Sequence, residues 1–283
     1  MRKLNRSKHR ISIPLPNALD KLTNSLNTQR WNVSNSHYPN MNQQPVGLAN
    51  DLAPLQVMRS TVGQHDIAVW RSSSGVVSAW ENRCPHRGMR LSYGFVRGES
   101  LACAYHGWHY NCSGECHYIP AHPELTPPKS IRPSIFSVME HAGLLWVDVS
   151  EEAQLAHTGV ERSSVQSALS VQSAPPLVNL PHDLHPLRTV SIDCEPERLI
   201  SVLSDIAAPG STGEKVMMKT VCEQVRIFSF DAMGTANGVY LVLHTPPAQS
   251  MLVHVLVQAT LNVEERIVVS RWCESLRRLA ESQ

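Results

Sequence analysis

Four residues in two short segments stand out for the chemistry they could do. Cys84 and His86 lie in Cys84-Pro85-His86-Arg87-Gly88, and after a further sixteen residues Cys103 and His106 lie in Cys103-Ala104-Tyr105-His106-Gly107-Trp108. Each segment pairs one thiolate with one imidazole. A two-iron, two-sulfide cluster with mixed ligands needs this distribution, because one iron takes two cysteines, the other takes two histidines, and each loop gives one ligand to each iron. Neutral imidazoles in place of two anionic thiolates raise the potential above that of a four-cysteine cluster. Gly88 and Gly107 let both loop tips approach such a group closely. A structural Cys2His2 zinc site uses the same donor atoms. Zinc fingers, however, pair Cys with Cys and His with His, whereas each segment here mixes them.

Other donors are less telling. Cys112 and Cys116 are near the second segment, but a bridge between them would close a very tight loop, so they read as free thiols. His109, His117, His122 and His141 have no partner at metal-ligand spacing. A two-histidine, one-carboxylate set could be drawn from His182, His185, His244, His254, Glu264 and Glu265, but each reads first as an ordinary loop or strand residue. No glycine-rich phosphate loop or dinucleotide fingerprint is present, and no Ser-His-Asp or Cys-His arrangement suggests a nucleophile.

Around the four ligand candidates the chain consists of short runs rich in Val, Ile and aromatic residues. Leu55 to Met58, Ile67 to Arg71, Val76 to Trp80 and Leu144 to Val149 read as strands, with a hairpin turn at Ser72 to Gly75. Residues 1–28 form a polar lead-in with one short helical stretch around Leu19 to Leu26. Residues 29–150 form a small all-β domain, and residues 151–185, rich in Ser, Ala, Gln and Val and containing Pro175 and Pro176, form a linker.

In residues 186–283, Leu187 to Ile192 reads as a strand and Glu195 to Ile206 as a helix, with Asp193 or Cys194 near its N-cap and Pro196 in its first turn. Strands follow at Val216 to Val221, Val225 to Phe230, Val239 to His244 and Met251 to Leu261. A final helix spans Glu264 to Ala280, with Val268, Trp272, Leu276 and Leu279 at helical spacing on its buried side. The fold class is α+β.

Composition narrows the partners. A net charge of +1 gives no clustered basic field for nucleic acid or a membrane surface. No stretch is long and apolar enough to span a bilayer, and the basic N-terminus is interrupted by Pro14 and Pro16 before any signal-peptide core. Seven cysteines without a regular framework suit reduced thiols, some in metal service, and a cytoplasmic setting.

The phrase Cys84-Pro-His-Arg-Gly, then Cys103-Ala-Tyr-His-Gly-Trp-His-Tyr, then Ile119-Pro-Ala-His-Pro resembles the Rieske domain of the Rieske-type non-haem iron oxygenases, the ring-hydroxylating and demethylating family. The resemblance runs from about Trp31 to Val149. Respiratory Rieske proteins carry a further cysteine in each cluster loop; Met89 and Ala104 or Tyr105 stand near those places, which favours the oxygenase type. The resemblance implies a [2Fe-2S] cluster on Cys84, His86, Cys103 and His106, with Trp108 shielding it. It also implies a reductase or ferredoxin as electron donor, a small organic substrate, and a homo- or hetero-oligomer in which electrons cross between subunits.

By the same resemblance, residues 186–283 correspond to a shortened START-like helix-grip domain, which in the family holds a mononuclear Fe(II) through two histidines and a carboxylate. The family's iron-binding helix reads Asn-x2-Asp-x2-His-x4-His. Aligned on it, Asp205 takes the place of the bridging Asp, while Val202, Ala208 and Gly213 stand at the Asn and the two histidines. Alanine and glycine have no side-chain ligand for iron, so the usual triad cannot form there. Two functions follow: an oxygenase component for O2-dependent hydroxylation or oxidative demethylation, and an electron-transfer subunit that passes electrons to the iron of a partner oxygenase subunit.

Overall fold

The computed structural model describes residues 43–150, 180–181, 183–209, 217–220, 225–231, 238–246 and 250–282. The helix expected around Leu19 to Leu26 and most of the expected linker lie outside these residues, as do His182 and Gly213.

The first domain is built on a six-stranded antiparallel sheet. Its strands are β1 (Gln43–Leu48), β2 (Val57–Val62), β3 (His65–Arg71), β4 (Val77–Glu81), β9 (Ile135–His141) and β10 (Leu144–Asp148), in the order β1-β10-β9-β4-β3-β2. Turn chemistry sets the register. The β3–β4 turn closes with the Gly75 amide donating to the Ser72 carbonyl at 3.1 Å. Between β9 and β10, Ala142 and Gly143 both take positive φ, 51° and 74°, the conformation that lets a two-residue hairpin follow strand twist. Strand β10, paired on both sides, is buried along its whole length.

Inserted between β4 and β9 is a second, four-stranded sheet of very short strands. They are β5 (Phe95–Arg97), β6 (Ser100–Ala102), β7 (His109–Asn111) and β8 (Cys116–Tyr118), paired in sequence order. Trp70, Trp80, Leu91, Leu101 and Tyr110 fill the space between the sheets together with the two cysteines Cys84 and Cys103. Trp70 and Trp80 meet edge to face at 5.0 Å. The loops that carry the four candidate ligands thus grow from a packed aromatic base.

The second half is a five-stranded antiparallel sheet, β11 (Leu184–Ile192), β12 (Met217–Thr220), β13 (Val225–Asp231), β14 (Gly238–His244) and β15 (Met251–Gln258), in the order β11-β15-β14-β13-β12. Strand β11 starts at Leu184, inside the stretch read as linker. Helix α1 (Pro196–Asp205) and helix α2 (Val263–Glu281) complete it. Alternation splits the sheet's faces. Val239, Leu241, Leu243, Val253 and Val255 pack with both helices, whereas Val242, Leu256 and Ile227 pack with Leu48, Leu144 and Trp146 of the first domain.

Two details of the helices differ from expectation. Neither Asp193 nor Cys194 caps α1; Glu195 occupies that position without a side-chain capping bond, and Pro196 preorganises the first turn. On α2 the buried stripe is Val269, Trp272, Cys273, Leu276 and Ala280, while Val268 and Leu279 are exposed. The helix is rotated by one residue at both ends of the expected stripe. Its start is fixed by a capping box: the Glu265 amide donates to Asn262 Oδ1 at 2.9 Å and the Asn262 amide to Glu265 Oε2 at 2.8 Å. Among the described residues no helix is long and apolar enough to cross a membrane.

Candidate metal centre

The two loops are copies of one hydrogen-bonded turn. In the first, the Cys84 amide donates to the Met89 carbonyl at 2.8 Å and the Gly88 amide to the Cys84 carbonyl at 2.8 Å. In the second, the Cys103 amide donates to the Trp108 carbonyl at 2.9 Å and the Gly107 amide to the Cys103 carbonyl at 3.0 Å. Gly88 and Gly107 stand at φ 73° and 69°, a region that costs any other L-residue strain. At Gly107 a Cβ would also come within 2.9 Å of Pro120 Cγ. The first loop follows β4 and the second joins β6 to β7, so the two sheets hold the loops tip to tip.

The sequence candidates come together as a sulfur pair and an imidazole pair. Cys84 and Cys103 are buried, each 3% exposed, while His86 and His106 are half-buried with ring centroids 4.6 Å apart. Trp108 stacks on the His86 ring at 4.1 Å and 9°, and Tyr105 lies against His106 at 3.8 Å. The sulfurs are the inner edge of the site and the imidazoles the outer one.

Electrostatics sharpen that division. The hydrogen bond from the Cys103 thiol, helped by the Tyr110 hydroxyl and the amides of His86 and Arg87, brings the Cys84 thiol down to about 5 against the opposing effect of burial. Cys103 is driven up, first by that same shared hydrogen bond and then by burial. Burial and the neighbouring Cys84 sulfur push the Tyr110 phenol up. Its hydroxyl, 3.1 Å from Cys84 Sγ, therefore keeps its proton and donates to the sulfur. Tyr110 is a site residue that the sequence reading did not single out.

The donor set suits a two-iron group. Among the described residues no three His, Cys, Asp or Glu side chains gather around one point. A tetrahedral zinc needs four donors on one ion, whereas a mixed [2Fe-2S] cluster needs two separate pairs, which is how these residues divide.

Comparison with known proteins agrees. The family model for the Rieske [2Fe-2S] domain matches residues 42–131. This part of the chain is a Rieske domain. Domains of this family bind a [2Fe-2S] cluster. Over 108 residues the chain is 42% identical to Oxidoreductase NdmD of Pseudomonas putida, covering 38% of this chain and 18% of that protein. Over 100 residues it is 41% identical to 4beta-methylsterol monooxygenase of Methylococcus capsulatus, covering 34% and 27%. The chain thus spans about a fifth to a quarter of these relatives' length. Over most of the chain, the fold is similar to the structure of NdmA from Pseudomonas putida CBB5, with a TM-score of 0.58 at 18% identity over 85% of this chain and 81% of that one.

The remaining candidates do not assemble into a second centre among the described residues. Asp205 is exposed at the last position of α1. Ala208 is 3% exposed within the core under α2, where Trp272 Nε1 donates to the adjoining Ala207 carbonyl at 2.8 Å. His185 is exposed on β11, and Glu265 is engaged in the capping box. His244 and His254 are buried on neighbouring strands, His254 opposite Val242 and His244 opposite Leu252, without a carboxylate to complete a triad. Cys112 and Cys116 are free thiols.

Proposed function

We propose that Cys84 and Cys103 hold one iron and His86 and His106 the other iron of a [2Fe-2S] cluster, and that the chain is a component of a Rieske oxygenase system. It takes single electrons from a reductase or ferredoxin and serves O2-dependent hydroxylation or oxidative demethylation of a small organic substrate. The observation that carries this reading is the pair of matching loops, with buried sulfurs inside and half-buried imidazoles outside. When bound, the cluster supplies a one-electron store. Tyr110 steadies the inner sulfur by hydrogen bonding, Trp108 fixes the plane of the His86 ring, and the aromatic base keeps water from the cysteines. The outward imidazole edge leaves a short path for electrons to enter and leave.

The order of elements from β11 to α2 supports reading the second half as a shortened START-like helix-grip domain. One observation favours placing the oxygen-activating iron on a partner subunit: the position aligned with the first iron-binding histidine is the core residue Ala208, and the helix-facing side of the sheet is filled by Phe230, Trp272 and aliphatic side chains. Iron per chain decides between the two arrangements. About two irons, all accounted for by the cluster spectrum, support the electron-transfer subunit. About three restore an oxygenase with its own mononuclear site, and a colourless, zinc-loaded protein overturns both.

A further inference from the structure

Beside the first loop lies a recess of about 310 Å³ lined by Cys84, His86, Arg83, Arg87 and Arg132. Arg83 and Arg87 are exposed and Arg132 is half-buried. The Arg83 guanidinium lies across the loop glycine, so close that a Cβ on Gly88 would be 3.2 Å from Arg83 Nε. The ion pairs among the described residues engage Arg59, Arg71, Arg90, Lys129, Arg188 and Arg277. None involves the three recess arginines. Among the described residues the only carboxylate lining the recess is Glu81, which accepts the Ser134 hydroxyl at 3.2 Å.

In a chain of net charge +1, three cations without a carboxylate partner among the described residues, around a half-buried imidazole, are a local positive field where electrons would enter. Across the imidazole pair, the second loop presents Tyr105, 55% exposed, against His106. A cationic rim beside one exposed aromatic ring fits a brief encounter steered by charge and finished by a small apolar contact.

We propose that Arg83, Arg87 and Arg132 form the docking surface for an acidic electron-donor protein, bound so that its redox centre faces the His86 edge. The proposal rests on the electron-accepting function given above and adds the partner's charge and its landing site. Encounter surfaces of this kind are small and exchange quickly, so binding is sensitive to salt.

The test is calorimetric binding of the cluster-loaded full chain to a plant-type [2Fe-2S] ferredoxin, a small acidic protein. Salt is raised from about 0.01 M to about 0.3 M NaCl, which shortens the screening length from about 30 Å to below about 10 Å. Affinity is expected to fall steeply with salt. Arg83→Glu and Arg132→Glu should each weaken it roughly tenfold at low salt and flatten the salt dependence, while Arg83→Lys and Arg132→Lys retain it. Visible absorption of each preparation shows that the cluster is intact. Ferredoxin whose carboxylates have been amidated should bind weakly to the unaltered chain, a result that no folding defect in a variant can mimic.

Salt-independent binding, or charge-reversed variants that bind like the original, overturns the proposal. Displacement of ferredoxin by inorganic phosphate at constant ionic strength also overturns it, by making the recess a small-anion site. Failure of every preparation to show a Rieske spectrum overturns instead the function on which the proposal rests.

Discussion

The hydroxyl of Tyr110 lies 3.1 Å from the sulfur of Cys84, joining the floor of the small sheet to the inner edge of the site. Hydrogen bonds to cluster sulfurs favour the reduced state by stabilising the added negative charge, and so raise the potential. Tyr110→Phe removes this donor and little else, because the ring remains edge-on to Trp80 at 6.4 Å. The midpoint potential is expected to drop on the order of 60 mV, a tenfold change for a one-electron couple. Spectroelectrochemical titration checks it; an unchanged midpoint would mean that the bond carries no weight in the redox equilibrium.

The Trp108 ring, stacked on His86 at 4.1 Å, restrains a half-buried imidazole. Trp108→Phe keeps a flat partner, whereas Trp108→Ala leaves the ring free to turn. We expect Trp108→Ala to bleach its visible absorption several-fold faster under air and to broaden the electron paramagnetic resonance signal of the reduced form. Trp108→Phe should stay close to the original. Equal bleaching rates in the two variants would show that the stacking does not protect the ligand.

Gly107 and Gly63 separate two effects of substitution. Both have positive φ, 69° and 54°, but a Cβ at Gly107 meets Pro120 while one at Gly63 meets nothing within 4 Å. Gly63→Ala should cost roughly 1–2 kcal/mol from the backbone alone. Gly107→Ala should cost more and lower cluster occupancy, because relief of the clash moves the His106 loop. Urea midpoints together with iron content test this; equal losses in both variants would assign the whole effect to φ.

The sequence shows the candidate ligands better than what supports them. Cys84, His86, Cys103 and His106 are legible because their chemistry depends on residue type and local spacing. Tyr110 is not, because its role arises only when β7 folds against the first loop and brings a residue of one segment onto the cysteine of the other. The strands β5 to β8, three residues each, are too short for any period to register. On α2 the apolar residues Val268 and Val269 are adjacent, as are Leu279 and Ala280. Periodicity alone fixes the stripe only to within one position, and the five-stranded sheet selects the face that presents the smaller Ala280 and Cys273.

His244 and His254 lead to a prediction about acid stability. Both are essentially buried, at 0% and 1% exposure, on the face of the second sheet that carries Val242 and Leu256 against the first domain. Thr189 Oγ1 lies 3.0 Å from His254 Nδ1, while among the described residues neither nitrogen of His244 has a hydrogen-bond partner. Burial lowers His244 from 6.5 to about 4. Burial, with a further contribution from His244, lowers His254 from 6.5 to about 3, against a small opposing effect of the Pro45 carbonyl. The folded chain therefore keeps both rings neutral at a pH where the unfolded chain protonates them. Above about pH 6.5 neither state binds these protons and stability does not depend on them. As pH falls from about 6.5 towards 4 and then 3, the unfolded state binds more protons, so stability declines, and it levels off once the folded rings titrate. Urea midpoints between about pH 8 and pH 4 should fall more steeply for the original chain than for a His244→Leu, His254→Leu double variant, with His254→Leu alone in between. Parallel curves for all three would show that these two rings are not what acid attacks between the sheets.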